Sequence, residues 1–236
     1  MLIAGPCLYC DYSEIDRIMQ TAFALQDIGV DMFRCKLDGG GTAPDRYMPG
    51  VGLGGLGDLM IINEHILPAC TEVQSKEQID RCTGNLAAVW VGGRNSQNYA
   101  LLADLKAFDG RVFIKRGLSM TIDEVIGLVD IMKQIHGKEV SIIERGISTF
   151  DRLPDSRWSP DLKGVIRLSH ERPDIFENII IDCSHSVGRS EYVKKTYQAF
   201  KAIGINHFMM ECTIDGKSKT DQRQMLSVKE LEDIIK

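Results

Sequence analysis

Eight short apolar runs, separated by segments whose apolar residues recur at helical spacing, constrain this 236-residue chain more than any other feature. The runs cover residues 2–4, 31–35, 67–72, 87–91, 112–115, 140–144, 179–182 and 208–211. They are nearly continuous rather than alternating, the pattern of strands buried on both faces and therefore of parallel pairing under a layer of helices. Between them, 13–28 sets Ile15, Ile18, Met19, Ala22 and Phe23 on one stripe and stops at Gly29. The segment 121–136 opens on Thr121 and Glu124, spaced as a capping box, and closes at Gly137; 189–203 ends before Gly204, and Ser227 with Glu230 opens a last helix. Strand-helix alternation of this kind predicts an α/β fold, and eight units predict closure into a single (β/α)8 TIM barrel. Because the first strand starts at once, the expectation is one barrel over 1–236 with no fused regulatory domain.

An open, doubly wound sheet has the same periodicity, so the polar residues have to arbitrate. Arg34, Glu72, Arg94, Lys115, Arg145, His185 and Glu211 fall at or just past the C-terminal ends of seven different strands. A barrel builds its site from many strand ends, whereas an open sheet gathers it at one or two switch points. The stretch 50–57 is glycine-rich but lacks the strand-then-helix setting of a dinucleotide fingerprint, and no Walker sequence is present. It reads as a loop into a helix.

Composition excludes several functions. A net charge of −5 and a pI near 5.6 leave no electrostatic footprint for nucleic acid. The longest apolar runs are strand-sized and no signal peptide is visible, so the expectation is a cytoplasmic protein without membrane contact. Seven cysteines, an odd and scattered number, favour reduced thiols over a disulfide framework. Cys7 and Cys10 form a lone CxxC, a weak signal for zinc or redox chemistry without a second pair.

Six separated motifs carry a resemblance: IAGPC at 3–7, GRNSQN at 93–98, IKRG at 114–117, ERGISTF at 144–150, DCSHSVGR at 182–189 and the glutamate of MMEC at 209–212. In order and spacing they resemble the 3-deoxy-7-phosphoheptulonate (DAHP) synthases and, more distantly, the 3-deoxy-octulosonate 8-phosphate synthases. The resemblance implies a β/α barrel that joins phosphoenolpyruvate to an aldose phosphate, a transferase of aromatic amino acid biosynthesis, in a homo-oligomer. It implies a divalent metal (Mn, Fe, Co or Zn) on Cys7, His185, Glu211 and, by matching TDQRQML to the family's SDGKQSL, Asp221. A thiolate, an imidazole and two carboxylates suit a borderline divalent ion. It further implies that Arg94, Arg145 and Lys115, with Arg34, grip phosphoenolpyruvate. A phosphate beside a carboxylate needs several cations, preferably arginines. Glu72 would orient a cation or a metal-bound water. Taken singly, Cys7, His185 and Asp221 also read as ordinary core or loop residues, and Arg94 and Arg145 as rim cations paired with acids such as Glu72 and Glu144.

One stretch departs from the family. Where its members carry lysine-proline-arginine-threonine-serine-proline after the second strand, this chain reads Gly39, Gly40, Gly41, Thr42, Ala43, Pro44, keeping only Thr42 and Pro44. In the family that lysine sits between the two substrates and that arginine grips the acceptor's phosphate, so the resemblance implies an acceptor that need not be erythrose 4-phosphate. Lys36, two residues beyond Arg34, stands where period two points it into the same mouth and is a candidate replacement with a catalytic role beside Lys115 and His185. Alternatively the glycines offer backbone N–H groups to a smaller acceptor. Two further readings stay open: a barrel that binds a phosphorylated metabolite without catalysis, and an aldolase or lyase of 2-keto acids. The stretch 151–163, with Trp158 between prolines, has no assignment.

Overall fold

The structure is a computed structural model and describes residues 1–39, 47–150 and 157–236. Its strands are β1 (Leu2–Gly5), β2 (Met32–Arg34), β3 (Ala69–Val73), β4 (Ala88–Val91), β5 (Arg111–Lys115), β6 (Val140–Glu144), β7 (Ile180–Asp182) and β8 (His207–Thr213). Each pairs in parallel with the next, and β1 also pairs with β8 through Leu2–Phe208 to Gly5–Glu211, which closes the cylinder. Closure excludes the open sheet, which would leave two edges. A short β9 (Leu226–Ser227) continues from the end of β8.

Helices α1 (Ile15–Asp27), α2 (Leu56–His65), α3 (Lys76–Cys82), α4 (Tyr99–Asp104), α5 (Ile122–Gln134), α6 (Leu162–Glu171), α7 (Pro173–Asn178), α8 (Cys183–Val187), α9 (Ser190–Ala202) and α10 (Val228–Ile235) wrap the strands. Both expected capping boxes are present, Thr121 with Glu124 on α5 and Ser227 with Glu230 on α10. The stripe expected on α1 is rotated. Ile18, Ala22 and Leu25 are buried, but Phe23 is 51% exposed and Thr21 takes an inward place. The Thr21 hydroxyl donates to Arg17 O at 2.7 Å and accepts from Ile214 N at 3.0 Å, so a polar side chain with both bonds met is stable where the apolar stripe predicted none.

Two apolar layers hold the barrel. One packs helices against the outer strand face; the other fills the cylinder with Ile3, Met32, Cys70, Phe113, Ile143 and Met209 among others. All seven cysteines are free and buried, in accord with reduced thiols. Among the described residues, no helix is long and apolar enough to cross a membrane.

Candidate active site at the barrel mouth

Period two builds the site. Inward-facing Met32, Cys70, Phe113, Ile143, Ile180 and Met209 each precede by two residues a charged one: Arg34, Glu72, Lys115, Arg145, Asp182 and Glu211. The last apolar rung of the barrel is thus followed, toward the C-terminal ends of the strands, by a polar one. The alternation separates Glu144 from Arg145. Glu144 binds Arg116 at 2.7 Å, with Asp161 as that arginine's second acceptor, so the rim pair weighed for Glu144 and Arg145 is not formed.

On one side of this rung the four donors come together. Ligand atoms of Cys7, His185, Glu211 and Asp221 all lie within 4.8 Å of one another. Cys7 follows β1, where Gly5 adopts φ +150° and a Cβ would sit 2.1 Å from Arg34 O, so only glycine lets β1 and β2 close up here. His185 lies on the single turn α8 rather than in β7. Glu211 is in β8, and Asp221 opens a short turn in the left-handed region (φ 52°), a conformation aspartate tolerates better than most residues.

Electrostatics prepare these donors for a cation. Burial, with Glu211 and Asp221 adding repulsion, pushes the Cys7 thiol well above its usual range, so it is protonated and donates to Asp221 Oδ2 at 3.3 Å. Burial would raise Asp221 as well, but His185 and Arg157 hold it below the usual carboxylate range. Burial keeps His185 below the ordinary imidazole range against the pull of Asp182 and Glu211. Its Nδ1 lies 2.8 Å from Asp182 Oδ2 as a close ion-pair contact outside hydrogen-bond geometry, and its Nε2 faces Glu211 Oε1 at 3.3 Å. That same Glu211 Oε1 is fully buried, with Arg34 Nη2 3.4 Å away as an ion-pair partner, and accepts no hydrogen bond among the described residues. A buried carboxylate oxygen without a hydrogen bond is costly, and a divalent ion satisfies it. The donor set therefore fits such a cation.

The other side is cationic. Arg34, 1% exposed, reaches Glu211 at 3.4 Å and Cys7 O at 3.3 Å, while its Nε and Nη1 have no hydrogen-bond acceptor among the described residues. Lys115 bonds Asp182 at 2.8 Å; burial, with Arg34 and Arg145 adding repulsion, pulls it below the usual ammonium range although Asp182 opposes this. Arg145 is lowered chiefly by burial, with Arg157 and Arg94 adding repulsion. Arg94 itself is exposed on the loop after β4. Lys36 does point inward, 3.3 Å from Glu72, whose other oxygen accepts from Trp90 Nε1 at 3.2 Å. Although burial opposes it, Lys36, Lys115 and the Trp90 bond hold Glu72 below the usual carboxylate range. Thr42 and the rest of 40–46 lie outside the described residues.

Four participants escape a strand-end reading, Trp90, Arg157, Trp158 and Gln224, and a fifth, Asp182, ends β7 without having been singled out. Both tryptophans of the chain stack on site cations. Arg34 lies 5.1 Å and Lys115 5.8 Å from the Trp90 ring, and Arg145 lies 5.8 Å from that of Trp158. The 157–159 segment, unassigned from sequence, folds across the mouth by bonding Trp158 N to Ser186 O at 3.2 Å and pairing Ser159 with Ile147. Asp182 had a signal, its place two residues after inward Ile180.

Fold and site together define a closed β/α barrel carrying a four-donor cation centre beside buried arginines and a lysine at its C-terminal mouth. Across residues 1–236 the sequence matches the DAHP synthetase I family, and the chain belongs to that family, one of phosphoenolpyruvate-dependent transferases. It is 26% identical over 240 residues to the phospho-2-dehydro-3-deoxyheptonate aldolase of Thermotoga maritima, covering 99% of this chain and 67% of that protein. The crystal structure of phospho-2-dehydro-3-deoxyheptonate aldolase (DAHP synthase) from that organism superimposes with a TM-score of 0.86 at 26% identity, covering 100% of this chain and 67% of the other. A truncated form of 3-deoxy-D-arabino-heptulosonate 7-phosphate synthase from the same organism gives 0.82 at 25% identity, covering 100% and 83%.

Proposed function

We propose that the protein joins phosphoenolpyruvate to an aldehyde in a divalent-metal-assisted, aldol-type condensation that releases inorganic phosphate. The observation that carries the reading is the meeting of Cys7, His185, Glu211 and Asp221 within 4.8 Å, beside an arc of buried cations. On this reading Arg34, Lys115 and Arg145 hold the phosphate and carboxylate of phosphoenolpyruvate, with Arg94 at the rim. The open Nε and Nη1 of Arg34 and the open Nε of Arg145 are the donors an anion would fill. Lys36, 3.3 Å from Glu72, stands two residues beyond Arg34 as a further charged donor. A bound Mn, Fe, Co or Zn ion would supply Lewis-acid polarisation of a carbonyl or acidify a water. In the overall reaction the vinyl carbon bonds to the aldehyde carbon, a water oxygen adds at C2, and the C2 oxygen–phosphorus unit leaves as phosphate. The fixed cations lower the barrier by being oriented before charge develops.

The acceptor need not be erythrose 4-phosphate on this reading, because Gly39, Gly40 and Gly41 supply none of the charge of the family's loop. Each charged hydrogen bond contributes about 1.5–3 kcal/mol, so the loss of two discriminates strongly against a phosphorylated aldose. The test is a panel of aldehydes, erythrose 4-phosphate included, incubated with phosphoenolpyruvate and Mn2+ and scored for inorganic phosphate. Release is expected with an aldehyde other than erythrose 4-phosphate. Phosphoenolpyruvate binding with no release from any aldehyde would instead leave a binding barrel, and pyruvate formed from 2-keto acids would mark a lyase.

A further inference from the structure

The two carboxylates of the centre share a feature that neither the strand pattern nor the donor set requires. Each has one oxygen turned inward and the other bound from behind. Asp221 Oδ2 faces Cys7 at 3.3 Å and His185 at 3.8 Å, while its Oδ1 is held by Arg157 Nη1 at 2.9 Å. Glu211 Oε1 faces His185 at 3.3 Å and Arg34 at 3.4 Å, while its Oε2 accepts from Gln224 Nε2 at 2.5 Å. The two clamps are themselves joined, since Arg157 Nη1 donates to Gln224 Oε1 at 2.9 Å.

We infer that Arg157 and Gln224 form one outer clamp that makes each carboxylate offer a single oxygen to the bound cation. This rests on the metal-centre reading above. An amide can face either way, with its oxygen or its NH2 toward Glu211. The Arg157 guanidinium has donors only, so it fixes the Gln224 oxygen toward itself and leaves the NH2 for Glu211. Gln224 is buried, so its amide has no water to compete for these bonds. Charge is in accord: a thiolate and two carboxylates outweigh a divalent ion by one negative charge, and Arg157 beside Asp221, with Arg34 beside Glu211, supplies positive charge without occupying a ligand position. Backbone contacts explain how the clamp is aimed. Arg157 N bonds Val187 O at 3.4 Å, beside the turn that carries His185, and Gln224 N bonds Asp221 O at 3.1 Å. Both are positioning residues, since neither supplies a donor to the cluster.

The experiment uses metal-stripped full-length protein, Mn2+ affinity measured by chelator competition, and the visible spectrum of the Co2+ form. Gln224→Leu, close in size and unable to donate, is expected to weaken Mn2+ binding about 10- to 100-fold, the usual cost of losing an outer-shell partner. The cobalt ligand-field bands should change shape while the thiolate charge-transfer band persists, a difference that loss of packing alone would not give. Arg157→Lys keeps the charge but not the fork, and should act in the same direction. The double variant should lose less than the two single losses combined, because Arg157 reaches Glu211 only through Gln224. Circular dichroism checks folding, and if Gln224→Leu does not fold, Arg157→Lys on the part-exposed side chain decides. Unchanged affinity and an unchanged cobalt spectrum would overturn the clamp. His185→Ala distinguishes the two levels: if it abolishes uptake while the clamp variants bind normally, only this inference fails, and if it leaves uptake intact, the metal centre fails and the clamp with it.

Discussion

Asp182 accepts from Lys115 at 2.8 Å and from His185 N at 2.9 Å, and lies 2.8 Å from His185 Nδ1, all without exposure to water. One carboxylate thereby fixes both a cation of the anion-binding side and a donor of the metal side. Burial alone would raise it, but His185 and Lys115 hold it well below the usual carboxylate range. Asp182→Asn leaves the shape intact and the Lys115 ammonium without its counter-charge. Stripping one partner from a buried ion pair costs about 3–5 kcal/mol, so the metal-free variant should unfold at markedly lower urea concentration. An unchanged midpoint would mean that Lys115 does not depend on Asp182 for its charge balance.

At the level of elements, the eight strands are legible because near-continuous apolar runs have few other uses, and the strand ends fall within two residues of the observed ones. The inward direction of Arg34, Lys36, Lys115 and Arg145 follows from the same two-residue period. The Arg157–Trp158 segment has no period, and its placement depends on long-range bonds to Ser186 and Val187 that no local pattern encodes. Phe23 is misjudged for a related reason, since the hydroxyl of Thr21 finds one of its two partners, Ile214 N, far from its own helix. Gly146 makes the Trp158 crossing feasible: its φ is +88°, and a Cβ there would come 2.8 Å from Trp158 Cβ. Gly146→Ala should destabilise the protein by roughly 1–2 kcal/mol, the cost of a left-handed non-glycine residue plus a displaced neighbour. A red-shifted tryptophan emission should accompany it as Trp158 leaves Arg145, and unaltered stability and emission would show that the segment is not held there.

For the whole molecule, a cation bound at the mouth stabilises the native state in proportion to its occupancy, by about 2.7 kcal/mol at a hundred times its Kd. Chelation should therefore lower the melting temperature as well as abolish turnover, and Mn2+ should restore both. The pH dependence has a definite sign. The Cys7 thiol is held protonated by burial and by Glu211 and Asp221, so a cation must displace its proton, and affinity should rise with pH. Calorimetry in buffers of different ionisation enthalpy would count that proton, and uptake without proton release would mean that the sulfur is not a ligand.

The pairing of β1 with β8 has one more consequence, for the order in which the chain assembles. Cys7 and Asp221 stand 214 positions apart and face each other across the seam where the first strand meets the last. Contacts between such distant positions form only after a large loop-closure cost has been met, and they set the pace of folding. Capture of a cation by all four groups would thus report on the final docking of the two ends, and a nascent chain still short of residue 221 would emerge with its thiol unguarded.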